Sequence, residues 1–186
     1  MSRYAALLDA CVLVPIVLTD TLLRIAERDL YRPLWSDRIL EEALEATIDT
    51  HSDIDPKRLR RRFETMSSTF EDACVVDWEH LEARIVLPDP EDRHVVAAAI
   101  RGRADCIVTA NLRDFPTHVL AELDIKVTHP DDFLVNQFDL APRIVLDVIR
   151  DQSGHAVNPM LTPMDLVARL SRAGVPNFAD LVARTI

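Results

Sequence analysis

Asp9, Glu41 or Glu42, Asp92 and Asp114 are the residues whose types and placing suit chemistry. Asp9 ends the apolar run Tyr4 to Leu8. Asp114 follows Asp105-Cys106-Ile107-Val108-Thr109, which reads as a short buried strand. Polar groups at strand ends are where open α/β sheets place their sites. Asp92 falls on the helical stripe of Val95, Val96, Ala99 and Ile100. A carboxylate aimed at a core is costly unless a cation or several hydrogen bonds meet it. Clustered hard oxygens suit Mg²⁺ or Mn²⁺. Such an ion positions a water, lowers its pKa and offsets charge on a phosphodiester. Thr109 and Asn111 lie beside Asp114, and the Thr109 hydroxyl can hold a carboxylate or a water.

Each acid has a plainer reading on its own. Asp9 is then a strand-end cap, Asp92 a partner of a helix dipole, Glu42 a solvated helix residue and Asp114 a turn residue. Only the joint pattern favours a site. Arg93, Arg101, Arg103 and Arg113 lie near it in sequence and are the phosphate candidates, Arg93 and Arg113 foremost. The run Lys57 to Arg62 reads as a solvated helix face. No histidine pair has metal-ligand spacing, and His94 reads as a surface residue.

The elements that must hold these residues alternate. After the first strand, Val12 to Leu30 reads as helix, divided near Pro15 and Asp20. Ser36 or Asp37 caps a helix through Ile48, with Ile39, Leu40, Ala43, Leu44, Thr47 and Ile48 on its buried face. Glu41 and Glu42 fall on its two flanks, and periodicity does not choose between them. Asp55-Pro56 opens another helix. Cys74 to Val76 reads as a strand. Asp89 caps a helix with Pro90 at its first position and Gly102 just past its end. Ile125 to Val127 is a last strand. From about Asp139 the chain turns helical, with a loop over 154–159. Strands alternating with helices predict a parallel sheet covered on both faces.

Composition sets the outer bounds. A chain of 186 residues with 48% hydrophobic residues suits one domain and an appendage. A net charge of −10 argues against nucleic-acid binding through bulk charge. It does not exclude a nucleic-acid enzyme, since carboxylates gathered around a metal count as negative in that sum. Cys11, Cys74 and Cys106 are scattered and odd in number, which predicts reduced thiols and a cytoplasmic protein. No apolar run is long enough to span a bilayer, so no membrane association is expected.

Four segments in order, LLDACVLVP, SDRILEEALEA, LPDPEDRHVVAAAI and IVTANLRDFP, make residues 4–135 resemble the PIN-domain ribonucleases. The likeness is greatest to the VapC-type toxins of prokaryotic toxin–antitoxin pairs. The resemblance implies an α/β fold, a PIN-like parallel sheet of about five strands flanked by helices. It implies a nuclease domain over 1–137 and a helical C-terminal extension over 138–186. It further implies acidic residues around one or two Mg²⁺ or Mn²⁺ ions, and metal-activated water that cuts single-stranded RNA to leave a 5′-phosphate. Carried over by position, Asp9, Glu42, Asp92 and Asp114 are catalytic, with Asp9, Asp92 and Asp114 as metal ligands and Thr109 and Asn111 in support. A cognate antitoxin and a homodimer are family expectations. Many members carry aspartate where Asn111 stands, which weakens the case for a second metal. A phosphatase of the haloacid dehalogenase type also begins with an aspartate after a strand. It wants a second aspartate where Cys11 stands, and a lysine and a paired-aspartate motif that are absent. A PIN-like binding module of weak activity is the non-enzyme alternative.

Overall fold

β1 (Ala5–Leu8) and β3 (Cys106–Val108) are wholly apolar and wholly buried, as strands covered on both faces must be. In the computed structural model, which describes residues 4–155 and 161–186, they form the centre of one parallel sheet. β2 (Arg32–Leu34) pairs with β1, and β4 (Lys126–Thr128) pairs with β3, giving the order β2-β1-β3-β4. The register sets Ala6 beside both Pro33 and Cys106, so Leu8 and Val108 finish together at one edge.

The expected five strands are therefore four. Cys74 to Val76 contributes one isolated bridge, Cys74 beside Trp35, held by Trp35 N–H to Ala73 O and Val75 N–H to Trp35 O. Sequence does not announce β2, because Pro33 cannot donate to a ladder. Its edge position explains the tolerance. Arg32 N–H donates to Tyr4 O, so by alternation the proline nitrogen faces away from β1.

Helices α1 (Ala10–Leu13), α2 (Ile16–Glu27), α3 (Asp37–Thr50), α4 (Pro56–Thr69), α5 (Glu79–Glu82), α6 (Arg93–Gly102) and α7 (Thr117–Ala121) cover the sheet. The first helical stretch breaks at Pro15 alone; Asp20 lies inside α2. α6 is buried over His94 to Ala99, more than the single stripe its pattern predicts. Gly102 is its last helical residue, not the left-handed residue beyond it; that conformation falls on Arg103, at φ 53°. Gly102 is needed for closeness instead. A Cβ there would meet Val75 Cγ2 at 2.8 Å and Leu34 Cδ1 at 3.0 Å.

α8 (Pro130–Leu140), α9 (Pro142–His155), α10 (Pro163–Arg172) and α11 (Pro176–Thr185) complete the chain. Gly154 lies in α9, and residues 156–159 of the expected loop lie outside the described residues. Asp131, in the first turn of α8, is 4% exposed. Its carboxylate accepts from Asn177 N–H at 3.0 Å, Asn177 Nδ2 at 2.9 Å and Phe178 N–H at 2.8 Å. It caps α11 from a distance. Gln152 of α9 accepts from Thr21 Oγ1 at 2.7 Å and donates to Val17 O at 3.1 Å. These two polar links tie the helical part together and fasten it to α2.

Candidate active site

Asp9 leaves the end of β1 and caps α1, whose first N–H donates to Oδ1 at 2.7 Å. The second oxygen, Oδ2, accepts from the Thr109 hydroxyl at 2.7 Å and from the Cys11 thiol at 3.1 Å. Thr109 in turn accepts from Asn111 N–H at 3.0 Å. Asp9 is 7% exposed, and these donors fix its orientation. Burial, then the charge of Asp9, pushes the Cys11 thiol up to about 12. Cys11 therefore stays protonated and keeps donating.

Asp92 ends a 3₁₀ turn over Pro90–Asp92 and immediately precedes α6. It is half-buried at the mouth of the site, not inside the core as its place on the stripe suggests. Asp89 caps that turn by accepting from Glu91 N–H at 2.9 Å. Asp114 lies in the loop after β3 and accepts from Asn111 Nδ2. One carboxylate oxygen from each of Asp89, Asp92 and Asp114 lies within 4.8 Å of the others. Burial, then the charges of Asp9, Asp114, Asp89 and Glu42 in that order, pushes Asp92 up to about 6. Five carboxylates thus feel one another across β1, α3, the turn before α6 and the loop after β3.

Among the described residues, none of Asp9, Asp89, Asp92 and Asp114 forms an ion pair with a basic side chain. Hard oxygen donors, close together and lacking a cation, fit a divalent ion such as Mg²⁺ or Mn²⁺. The close group is Asp89, Asp92 and Asp114; Asp9, expected as a ligand, is not in it, though its charge acts on Asp92. Sequence alone marks Asp89 only as a cap. Its spacing of three from Asp92, across one tight turn, is the available signal of more.

Glu42 faces the site while Glu41 is exposed, so the fold chooses where periodicity does not. Glu42 Oε1 accepts from Arg38 Nε at 3.1 Å, and His94 Nε2 lies 3.2 Å from the same oxygen. Arg38 also reaches Glu82 at 3.4 Å and Glu91 at 3.3 Å. Burial pushes Glu42 above its ordinary value; Arg38 opposes the rise, and Asp9 and Glu91 add to it. His94 is buried, not a surface residue, and packs against Trp78 at 5.9 Å. Burial, then Arg38, pushes it down to about 4, so it is neutral at pH 7. Arg38 and His94 belong to the site, and sequence reasoning misses them because their meeting with Glu42 joins α3 to α6. Arg93 is half-buried with its Nε lacking a partner, whereas Arg101, Arg103 and Arg113 are exposed. Arg101 pairs loosely with Asp77 at 3.7 Å.

A parallel sheet with acids converging beyond its central strands defines a class, and the comparisons agree. The chain belongs to the PIN domain family, whose profile matches residues 5–113. A second profile, the VapC50 C-terminal domain, matches residues 130–184. The chain is also similar to a protein of Mycobacterium tuberculosis named "Putative ribonuclease VapC50", at 45% identity over 94 residues. That stretch covers 50% of this chain and 55% of the relative, little more than half its length. No solved structure matches the chain. The family assignment sets aside the phosphatase alternative. Among the described residues, no helix is long and apolar enough to cross a membrane.

Proposed function

We propose that this chain is a divalent-metal-dependent endoribonuclease that cuts single-stranded RNA and serves as the toxin of a toxin–antitoxin pair. The observation that carries the reading is the group Asp89, Asp92 and Asp114, each offering an oxygen within 4.8 Å of the others, with the charge of the oriented Asp9 acting on Asp92. A bound Mg²⁺ or Mn²⁺ supplies an electrophile that lowers the pKa of a water and offsets phosphodiester charge. Asp89, Asp92 and Asp114 would hold the ion. Asp9 is held in one orientation by the Thr109 hydroxyl and Ala10 N–H. Asn111 steadies Asp114 by donating to it. Glu42 stands outside the triad with a raised pKa, which suits a group that takes a proton. Arg38 fixes the rotamer of Glu42. Arg113, exposed beside Asp114, and Arg93, beside Asp92, are placed to meet phosphate oxygens.

The likeness to the mycobacterial relative supports the nuclease and toxin readings. The relevant partners are RNA, an antitoxin protein and a second copy of the chain, in the cytoplasm. We also propose that the helical extension starts with α8, ahead of the 137/138 division. Asp131 binds α8 to α11, and the C-terminal profile begins at residue 130.

The test is purified protein on labelled single-stranded RNA with Mn²⁺, with and without EDTA, beside Asp9→Asn. Cleavage should require the metal and Asp9. Cleavage that survives both EDTA and the substitution would contradict the mechanism. Loss of all cleavage by wild-type protein, with RNA binding intact, would favour the binding-module alternative. For the toxin reading, expression alone should arrest growth; harmless expression of active protein would contradict it.

A further inference from the structure

We propose that the cavity between α2, α4 and α10 is a phosphate-binding groove for the RNA chain, built jointly by the PIN domain and the helical extension. The cavity holds about 880 Å³. Arg62 enters it from α4, and Arg169 and Arg172 enter it from α10. In a chain of net charge −10 this is an unusual concentration of cations. Among the described residues, none of the three makes an ion pair within 4 Å.

Arg62 is the exception in its run. Lys57, Arg58, Arg60 and Arg61 are exposed, whereas Arg62 turns inward and donates from Nη2 to Ile16 O at 3.1 Å. A half-buried guanidinium bonded only to a carbonyl is costly until an anion arrives. His51 Nε2, also in the lining, is buried without a partner. α2 begins here, behind Pro15, with no side-chain cap, so the positive end of a twelve-residue helix faces the same space. One acid, Asp20, lines the cavity and its charge reaches Arg62, short of an ion pair. Asp20 accepts from Arg24 at 3.1 Å, and Asp165 accepts from Thr162. Guanidinium forks match phosphate oxygens two at a time.

The rim of the groove at Pro15 follows Asp9 across α1. Only α1 separates Asp9 from Pro15, roughly 10 Å by helical rise. An RNA strand leaving the acids toward α2 meets these arginines next. This assignment rests on the nuclease reading. It also gives the helical extension a role, since without α10 the groove would keep only one of its three arginines.

The test uses the full chain carrying Asp9→Asn, so that RNA survives, and fluorescent single-stranded RNA titrated at several salt concentrations. Arg169→Gln/Arg172→Gln, both exposed, should leave the fold intact and carries the test; Arg62→Gln supplements it. The slope of log affinity against log salt should shrink by about 0.7 for each phosphate no longer neutralised. In the cleaving background, KM should rise for long RNA while cleavage of a trinucleotide is unchanged. An unchanged slope, or no RNA binding by the parent, overturns the groove while cleavage by wild type leaves the nuclease reading standing. Substitutions that abolish binding of a polyglutamate peptide but spare RNA binding would assign the groove to an acidic protein segment and also overturn the proposal.

Discussion

Burial and four neighbouring carboxylates push Asp92 up to about 6, above its unfolded value of about 4. The fold therefore favours its neutral form. The stability it contributes is fully present below about pH 4 and is lost as pH rises through 6. His94 works in the opposite sense, since its pushed-down pKa costs stability as pH falls below its unfolded value. The difference between wild type and Asp92→Asn isolates the first effect. In EDTA the variant should melt higher than wild type at pH 7, and the gap should close toward pH 4. Mn²⁺ should raise the wild-type Tm and leave the variant unmoved. Parallel melting curves across that range would contradict the cluster. Asp89→Asn should weaken Mn²⁺ binding, measured by calorimetry, by at least about the tenfold that losing an outer partner costs. Asp9 and Thr109 stand out in the sequence because each ends an apolar run, and Asp92 because it falls on an apolar helical stripe. Asp89 does not, because a cap and a ligand look alike until a third carboxylate is brought beside them.

At the level of elements, the packing is local enough to test piece by piece. Asp131→Ala removes the acceptor for three donors at the start of α11. It should cost on the order of 3 kcal/mol by denaturant unfolding, since charged hydrogen bonds are lost and donors are left buried. A change under about 1 kcal/mol would mean that water replaces the carboxylate, and that this link contributes little to holding α8 and α11 together. Gly102→Ala sets a methyl 2.8 Å from Val75 Cγ2 and should cost about 1–3 kcal/mol. The central strands and long helices were legible because parallel strands are continuous apolar runs and residues such as Asp55 and Pro56 mark helix starts. β2 was hidden by Pro33, and the strand expected at Cys74 shrank to one bridge, because edge pairing depends on neighbours and not on local pattern.

Over the whole molecule, β1 and β3 end together at one edge of the sheet, where Asp9 and the loop carrying Asp114 leave them. Asp89 and Asp92 reach that edge from the turn before α6, and Glu42 reaches it from α3. Acids gathered at one edge count toward the net charge of −10, so that charge does not by itself exclude an RNA substrate. Order along the chain does not show this convergence, and composition argued only against nucleic-acid binding through bulk charge. Crystals soaked in MnCl₂ and measured at the manganese absorption edge test the arrangement most directly. An anomalous peak among the carboxylates of Asp89, Asp92 and Asp114 is the predicted result. Wild-type crystals that show no peak there, from protein that cleaves RNA in Mn²⁺, would contradict the account.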